Sequence, residues 1–374
     1  MNTRNSGDLL PGQTTEKSTS AGDSPVAGTL RDPLLKNPDR YSRQRLLPQI
    51  GTEGQRRLNE SRAVIVGLGA MGSVAATLLV RAGIGDVVLI DRDLVELHNL
   101  QRQILYSEED VDRPKAVAAA EALKEINSTI RITLHTKDLN MTNAEKLLAG
   151  ADLVLDGTDN LQTRFLINDV CVKNGIPWVY AGAVSTGGMV MPVLPGRGPC
   201  FRCLVPELPG PGLLQTCDVA GILNTAPAFI ASLECTLAIQ ILTNQLSTAD
   251  ETVYLVHADP WNQSFDRIAV RKRSECPCCG KGRRDFLDAT ARELITSLCG
   301  RDAIQITPVS AMEISLEDLG RRLVRLGEVR GTKYMLTFRT GTEALTVFRD
   351  GRAIIQGTKD EAKARSLYAR YIGL

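Results

Sequence analysis

The chain has 374 residues, long enough for one large α/β domain and a smaller second one. Its 44 Lys and Arg balance 43 Asp and Glu, so no global basic field invites nucleic acid or an anionic membrane as partner. Nine cysteines behind an N-terminus without a signal-type apolar core point to a cytoplasmic protein with reduced thiols or metal rather than disulfides.

In chain order, residues 1–37 are rich in Ser, Thr, Gly and Asp without periodicity, and read as a disordered leader. Residues 41–60, "YSRQRLLPQIGTEGQRRLNE", carry a mixed helical pattern. "RAVIVGLGAMGSVAATLLVRAGIGDVVLIDRD" then reads as strand, glycine-rich turn, helix and strand, the βαβ unit of a doubly wound sheet. A helix over Lys115–Ile126, strand "RITLHT", helix "NAEKLLAG" and strand "DLVLD" continue the alternation. A helix over Thr163–Asn174 and strands in "IPWVYAGA" and "GGMVMPVLP" follow, with antiparallel strands expected after Pro177. The apolar stretch Ala226–Leu242 includes Ser232, Glu234, Thr236 and Gln240; it is too short and polar for a bilayer span and reads as a buried helix. Residues 285–374 read as helix, strand, helix, a meander with a hairpin in "VFRDGRAII" turning at Asp350-Gly351, and a last helix.

Gly67, Gly69 and Gly72 form a G-x-G-x-x-G pattern in the strand-to-helix context that gives it meaning. Such a turn lets a phosphate approach backbone N–H groups at a helix start, and Asp91 at the end of the next strand can accept from ribose hydroxyls. Any nucleotide fits this much, NAD included. Arg102 and Lys115 add two cations on the same side of the sheet, which taken alone also fit a charged surface. "DGTDN" shifts the balance. Asp156 and Asp159, at and just past a strand end, can hold Mg²⁺ against triphosphate oxygens. The set describes ATP cleavage and pyrophosphate release, for which a dehydrogenase has no use.

Cys200-x-x-Cys203 and Cys276-x-x-Cys279 are paired thiols suited to a closed tetrahedral structural Zn²⁺ site. A redox pair or an iron–sulfur cluster is the alternative, and Cys278 leaves the ligand choice in "CPCC" open, with spacing favouring Cys276 and Cys279. Cys217 lies on a Pro/Gly-rich stretch, where a thiol is either a nucleophile toward an activated acyl group or half-buried and inert. Cys171, Cys235 and Cys299 fall on apolar faces and read as core. The expected fold is α/β, a Rossmann-like doubly wound, mostly parallel sheet with a zinc-clipped second half, plus a small C-terminal α+β domain. The expected domains are 1–37, 38–284 and 285–374, the last without an assigned role.

"RYSRQ", "GLGAMGS", "LIDRDLVELHNLQRQILY", "RPKA", "LDGTDN", "GPCFRCL", "TCDVAGI" and "CPCCG" occur in an order that resembles the ubiquitin-activating-like adenylyltransferases, the ThiF/MoeB/HesA family. The likeness runs from about Arg40 to Gly280, and is greatest to the molybdopterin-synthase and thiamine-biosynthesis branches. It implies adenylation of the C-terminal glycine of a small ubiquitin-like sulfur carrier ending in Gly-Gly, in molybdopterin, thiamine or thiolation sulfur transfer. By the resemblance, Gly69, Asp91 and Asp93 bind nucleotide; Asn99, Arg102 and Gln103 take ribose and phosphates; Lys115 takes phosphates. Asp159 holds Mg²⁺, Asn160 flanks the adenine, and Arg43 reaches the phosphates from the partner subunit of a homodimer. The four paired cysteines match the zinc ligands, and Cys217 the position that forms a thioester or acyl-persulfide in some members. Ala70 and Met71 stand where the family often has adjacent glycines, and His98 replaces the usual Ser before "NLQR". The competing readings are an NAD-dependent dehydrogenase, a tRNA-modifying adenylating relative and a non-catalytic scaffold.

Overall fold

Two apolar runs, Arg62–Val66 (β1) and Asp86–Ile90 (β2), show no polar alternation, the mark of strands covered on both faces. A computed structural model of the protein describes residues 40–209, 220–246, 252–289, 294–298, 302–308 and 313–373. In it β1 and β2 pair in parallel with each other, β2 with Arg131–His135 (β3), and β1 with Leu153–Asp156 (β4). Trp178–Val184 (β5) joins β4 in parallel. Gly187–Val193 (β6), Thr252–Asp259 (β7) and Ser264–Arg271 (β8) then run antiparallel. The eight-stranded order is β3-β2-β1-β4-β5-β6-β7-β8. The fold class is as expected, and the antiparallel strands expected after Pro177 begin at β6.

The two-residue period of the strands sorts the core. Ala63, Ile65, Val87 and Leu89 face one cluster, with Leu79, Val80 and Ile230; Val64, Val66, Val88 and Ile90 face the other, with Phe165, Ile167 and Trp178. The first face is covered by helices Ala70–Ala82, Lys115–Ile126 and Thr225–Leu242, the second by Ala144–Leu148 and Leu161–Asn174. Thr225–Leu242 is the one helix among the described residues long and apolar enough to cross a membrane by length and composition. Here it lies against the sheet: Ala231, Glu234, Cys235 and Ala238 are buried, and the Glu234 Oε1 accepts the Asp156 N–H at 3.0 Å.

A second, antiparallel sheet has the order β11-β12-β13-β14-β10-β9, built from Glu328–Gly331, Met335–Thr340, Glu343–Phe348, Ala353–Gln356, Ala303–Thr307 and Leu294–Leu298 respectively. Helices Leu316–Leu323 and Glu361–Tyr371 share its core with Phe338, Leu345 and Ile355. The β13–β14 hairpin turns at Asp350-Gly351 as its sequence suggests, and the Asp350 carboxylate accepts the Arg352 N–H at 3.1 Å. The expected first helix is corrected: Leu294–Leu298 is a strand paired with β10, since edge pairing outweighs the helical propensity of "ARELITSL". The expected leader 1–37, Cys217 and Cys299 lie outside the described residues.

Candidate active site

The chain turns at Gly67 where β1 ends, with φ +86°. A Cβ on Gly67 would lie 2.6 Å from the Gly157 carbonyl oxygen, and one on Gly72 would lie 1.9 Å from the Gly67 oxygen. Glycines therefore bring the turn, the first helical turn and the end of β4 into backbone contact at the crevice where strand order reverses. Gly69 differs. A Cβ there would meet only Gln103 Nε2, at 3.8 Å, and Gly69 starts the helix Ala70–Ala82 with no side-chain cap. Open space and uncapped N–H groups at the start of a 13-residue helix suit an anion. Gln103 itself is buried, with its Oε1 unpartnered.

Asp91 is buried beside this turn. Its Oδ2 accepts the Leu68 N–H and its Oδ1 the Asp93 N–H, both at 2.6 Å. Burial raises its pKa, and the Lys115 ammonium works against that rise. Burial also acts upward on Asp93, but the cations of Lys115, Arg92 and Arg352 prevail and hold its carboxyl at about 2. Lys115, at the start of its helix, is buried with Nζ 3.4 Å from Asp93 Oδ2. Burial alone would discharge it; the fields of Asp93, Asp91, Asp159 and Glu96 raise its pKa instead. The result is an ammonium held charged beside Asp93 and within the field of Asp91, whose carboxylate accepts from the glycine turn.

Arg102 donates to the His98 carbonyl at 3.1 Å and to Asn99 Oδ1 at 3.2 Å, while the buried Asn99 donates to Glu96 at 3.3 Å. His98 is exposed, 3.6 Å from Glu96. Past β4 the two carboxylates of "DGTDN" part company. Asp156 is fully buried: Oδ1 accepts from the Thr158 N–H and hydroxyl at 3.0 and 2.6 Å, and Oδ2 from Arg164 Nε at 2.8 Å. Asp159 is exposed, with its charge felt at Lys115, Arg92 and Arg164. Asn160 caps the helix Leu161–Asn174, accepting the Thr163 N–H at 2.8 Å.

Arg43 is not brought to this group. Its helix, Ser42–Arg45, is anchored where Gln44 donates to the Ala82 carbonyl, at the far end of Ala70–Ala82 from the glycine turn. Thirteen helical residues span about 20 Å. Cys200, Cys203, Cys276 and Cys279 do converge, with all four Sγ atoms within 4.8 Å of one another and two pairs at 3.5 Å. Tetrahedral Zn–S bonds of about 2.3 Å need sulfurs about 3.8 Å apart. The donor set fits structural zinc. Cys278 stands aside from that set, its sulfur accepting from Asn168 Nδ2 at 3.1 Å and Arg284 at 3.5 Å. Asn168 also accepts the Phe201 N–H, so the cysteine knuckles are tied to the helix that begins beside Asp159.

Gly157, Arg164, Arg92, Asp138 and Glu234 were not singled out by sequence. Gly157 could have been, as a second glycine turn after a parallel strand; the others carry no spacing signal.

The ThiF family matches residues 41–278. The sulfur carrier protein ThiS adenylyltransferase of Bacillus subtilis is 40% identical over 346 residues, covering 89% of this chain and 99% of that one. That coverage leaves too little over to exclude residues 285–374. The sulfur carrier protein adenylyltransferase of Thermus thermophilus is 38% identical over 270 residues, 70% of this chain and 96% of its own. Among solved structures, Escherichia coli MccB with ATP shares the fold at a TM-score of 0.57 and 23% identity, over 65% of this chain and 75% of that one. The dehydrogenase alternative is set aside by these matches: the chain belongs to the ThiF family and is an adenylyltransferase of it.

Proposed function

We propose that the protein binds ATP in the crevice at Gly67–Gly72 and adenylates the C-terminal glycine carboxylate of a small sulfur-carrier protein, releasing pyrophosphate. The observation that carries this reading is the convergence of an open helix start at Gly69, a buried charged Lys115 and an exposed Asp159, in a chain whose full-length relative is named for that activity. A carboxylate is a poor electrophile, and its attack on the α-phosphate supplies a good leaving group. In-line placement and charge screening are the main demands. Asp91 and Asp93 position the turn and the ribose side; Asn99, Arg102 and Gln103 line the ribose and phosphate side; Asn160 flanks the base. Lys115 and Arg102 screen the departing pyrophosphate.

Mg²⁺ held by Asp159 would neutralise triphosphate charge. Arg43, remote from its own site, would serve the site of a second subunit in a homodimer. Zinc at the four cysteines has a structural role. Cys217 would take the activated acyl group from the adenylate as a thioester, with AMP as the leaving group; an acyl-persulfide would form instead only where a separate sulfur donor has first converted the thiol to a persulfide. A ThiS-type carrier ending in Gly-Gly is the first choice, because the relative whose match covers 89% of this chain bears that name.

The test is ATP–pyrophosphate exchange with carriers of the thiamine, molybdopterin and tRNA-thiolation types, each with and without its last glycine. Exchange should appear with a ThiS-type carrier and vanish when the glycine is removed; carrier-independent exchange would sink the reading. Cys217→Ala should leave exchange intact while abolishing any thiol-labile carrier adduct.

A further inference from the structure

Arg352 follows the Asp350-Gly351 turn in the second sheet, yet it is 1% exposed. No ion pair reaches it among the described residues, and its Nε has no hydrogen-bond partner. Its Nη2 donates to the main-chain carbonyl of Arg92 at 2.6 Å, and its Nη1 lies 3.4 Å from Gln305 Oε1. The guanidinium stacks 3.7 Å above the Phe348 ring. A buried cation without a direct counter-ion is a poor source of stability, which points to a role other than packing.

The acceptor supplies one. Arg92 is the middle residue of Asp91-Arg92-Asp93. On either side, Asp91 accepts the Leu68 N–H of the glycine turn and Asp93 faces Lys115. The Arg92 side chain pairs with Asp138 at 3.0 Å, and Gln305 of the second sheet approaches the other oxygen of Asp138 at 3.4 Å. The tripeptide therefore turns its carboxylates to the crevice and its central carbonyl to the second sheet. The field of Arg352 is also among those holding Asp93 ionised.

We propose that Arg352 is a positioning residue for nucleotide binding, by which the second sheet fixes the 91–93 segment and hence the alignment of Asp91, Asp93 and Lys115. This deepens the ATP reading above and rests on it. The C-terminal region then has a task in the first domain's chemistry.

The test compares full-length Arg352→Met, which keeps the apolar stem but loses the charge and the fork, with Arg352→Lys and Leu345→Ala. Leu345 lies in the second core, opposite Phe338 and Ile355 on the neighbouring strands. ATP Kd by calorimetry, with ATP alone, should rise about tenfold in Arg352→Met, the size of one charge-assisted hydrogen bond. Arg352→Lys should fall between, and exchange kcat at saturating ATP should stay within about twofold, since no group on the reacting atoms is removed. Leu345→Ala should lower Tm with unchanged ATP Kd. An Arg352→Met protein that binds ATP as tightly as the unaltered one overturns the proposal, as does an equal loss in Leu345→Ala. If Arg352→Met does not fold, an unchanged Kd in Arg352→Lys overturns it. Failure of the unaltered protein to bind ATP would overturn the ATP reading and this inference together, and so is distinguishable from the failure of this one alone.

Discussion

Asp156 and Asp159 stand three residues apart and meet opposite fates. The first ends a buried strand, so its oxygens are consumed by Thr158 and Arg164. The second lies three residues on, in the loop before the next helix, and is exposed, with its oxygens available to a ligand. Asp159→Ala is therefore expected to lower carrier-dependent exchange by about 100-fold or more, the scale of losing several kcal/mol of charge stabilisation, with little change in Tm. Asp156→Ala should instead unfold the segment, because it strands the buried guanidinium of Arg164. Thermal melts and exchange rates on both variants check the contrast, and full exchange activity in Asp159→Ala would remove the metal assignment. The sequence marks both as acids at a strand end. Which one is buried depends on Arg164 and Glu234, whose approach from other elements leaves no trace in local spacing.

At the scale of elements, the cysteine knuckles and the helix Thr225–Leu242 act as supports for the crevice. If the four thiols hold zinc, its removal by chelation, or Cys276→Ser, would free two ends of chain tied to Leu161–Asn174 through Asn168. Tm is expected to fall by about 10 °C, several kcal/mol at 2–4 °C each for a domain of this size, and exchange with it. A chelated protein that keeps its melting point would contradict a structural metal.

Glu234 is the other support. Burial, followed by the nearby Asp156, raises its pKa well above the ordinary carboxylate value. The folded state then keeps a proton that the unfolded chain releases above about pH 4.3, so stability falls as pH rises toward the folded value. Glu234→Gln keeps the acceptor for the Asp156 N–H but cannot ionise. The variant should gain Tm relative to the unaltered protein as pH increases from about 5 to 9, where the carboxyl would otherwise be asked to ionise. Parallel curves would show that Glu234 does not titrate differently on folding. Reading "Ala226–Leu242" as a buried helix needed only its composition; the use of its one acid needed the fold.

Across the whole molecule, Arg43 and Arg352 define what lies beyond the crevice. If Arg43 serves a partner's site, mixing Arg43→Ala with Lys115→Ala, each inactive alone, should restore about a quarter of the activity once subunits exchange, as in a two-fold dimer one site in four becomes whole. No restoration after confirmed exchange would place Arg43 outside catalysis.

The sequence by itself determined the parallel βαβ core, the glycine turn and the paired thiols, because each rests on local periodicity or short spacing. It also placed the Asp350-Gly351 hairpin, where turn chemistry is local. It did not yield the strand Leu294–Leu298, whose conformation is decided by a neighbour in the sheet. Nor did it yield the antiparallel hairpin β7–β8, which closes the first sheet with an outer strand exposed at most positions and so without a clear apolar alternation. Only the tertiary structure decided that Asp156 is structural, that Cys278 stands outside the thiol cluster, and that Arg352 reaches the carbonyl of Arg92 across 260 residues of chain. The physical reason is common to all three: burial and hydrogen-bond partners are set by long-range packing, which local residue patterns do not encode.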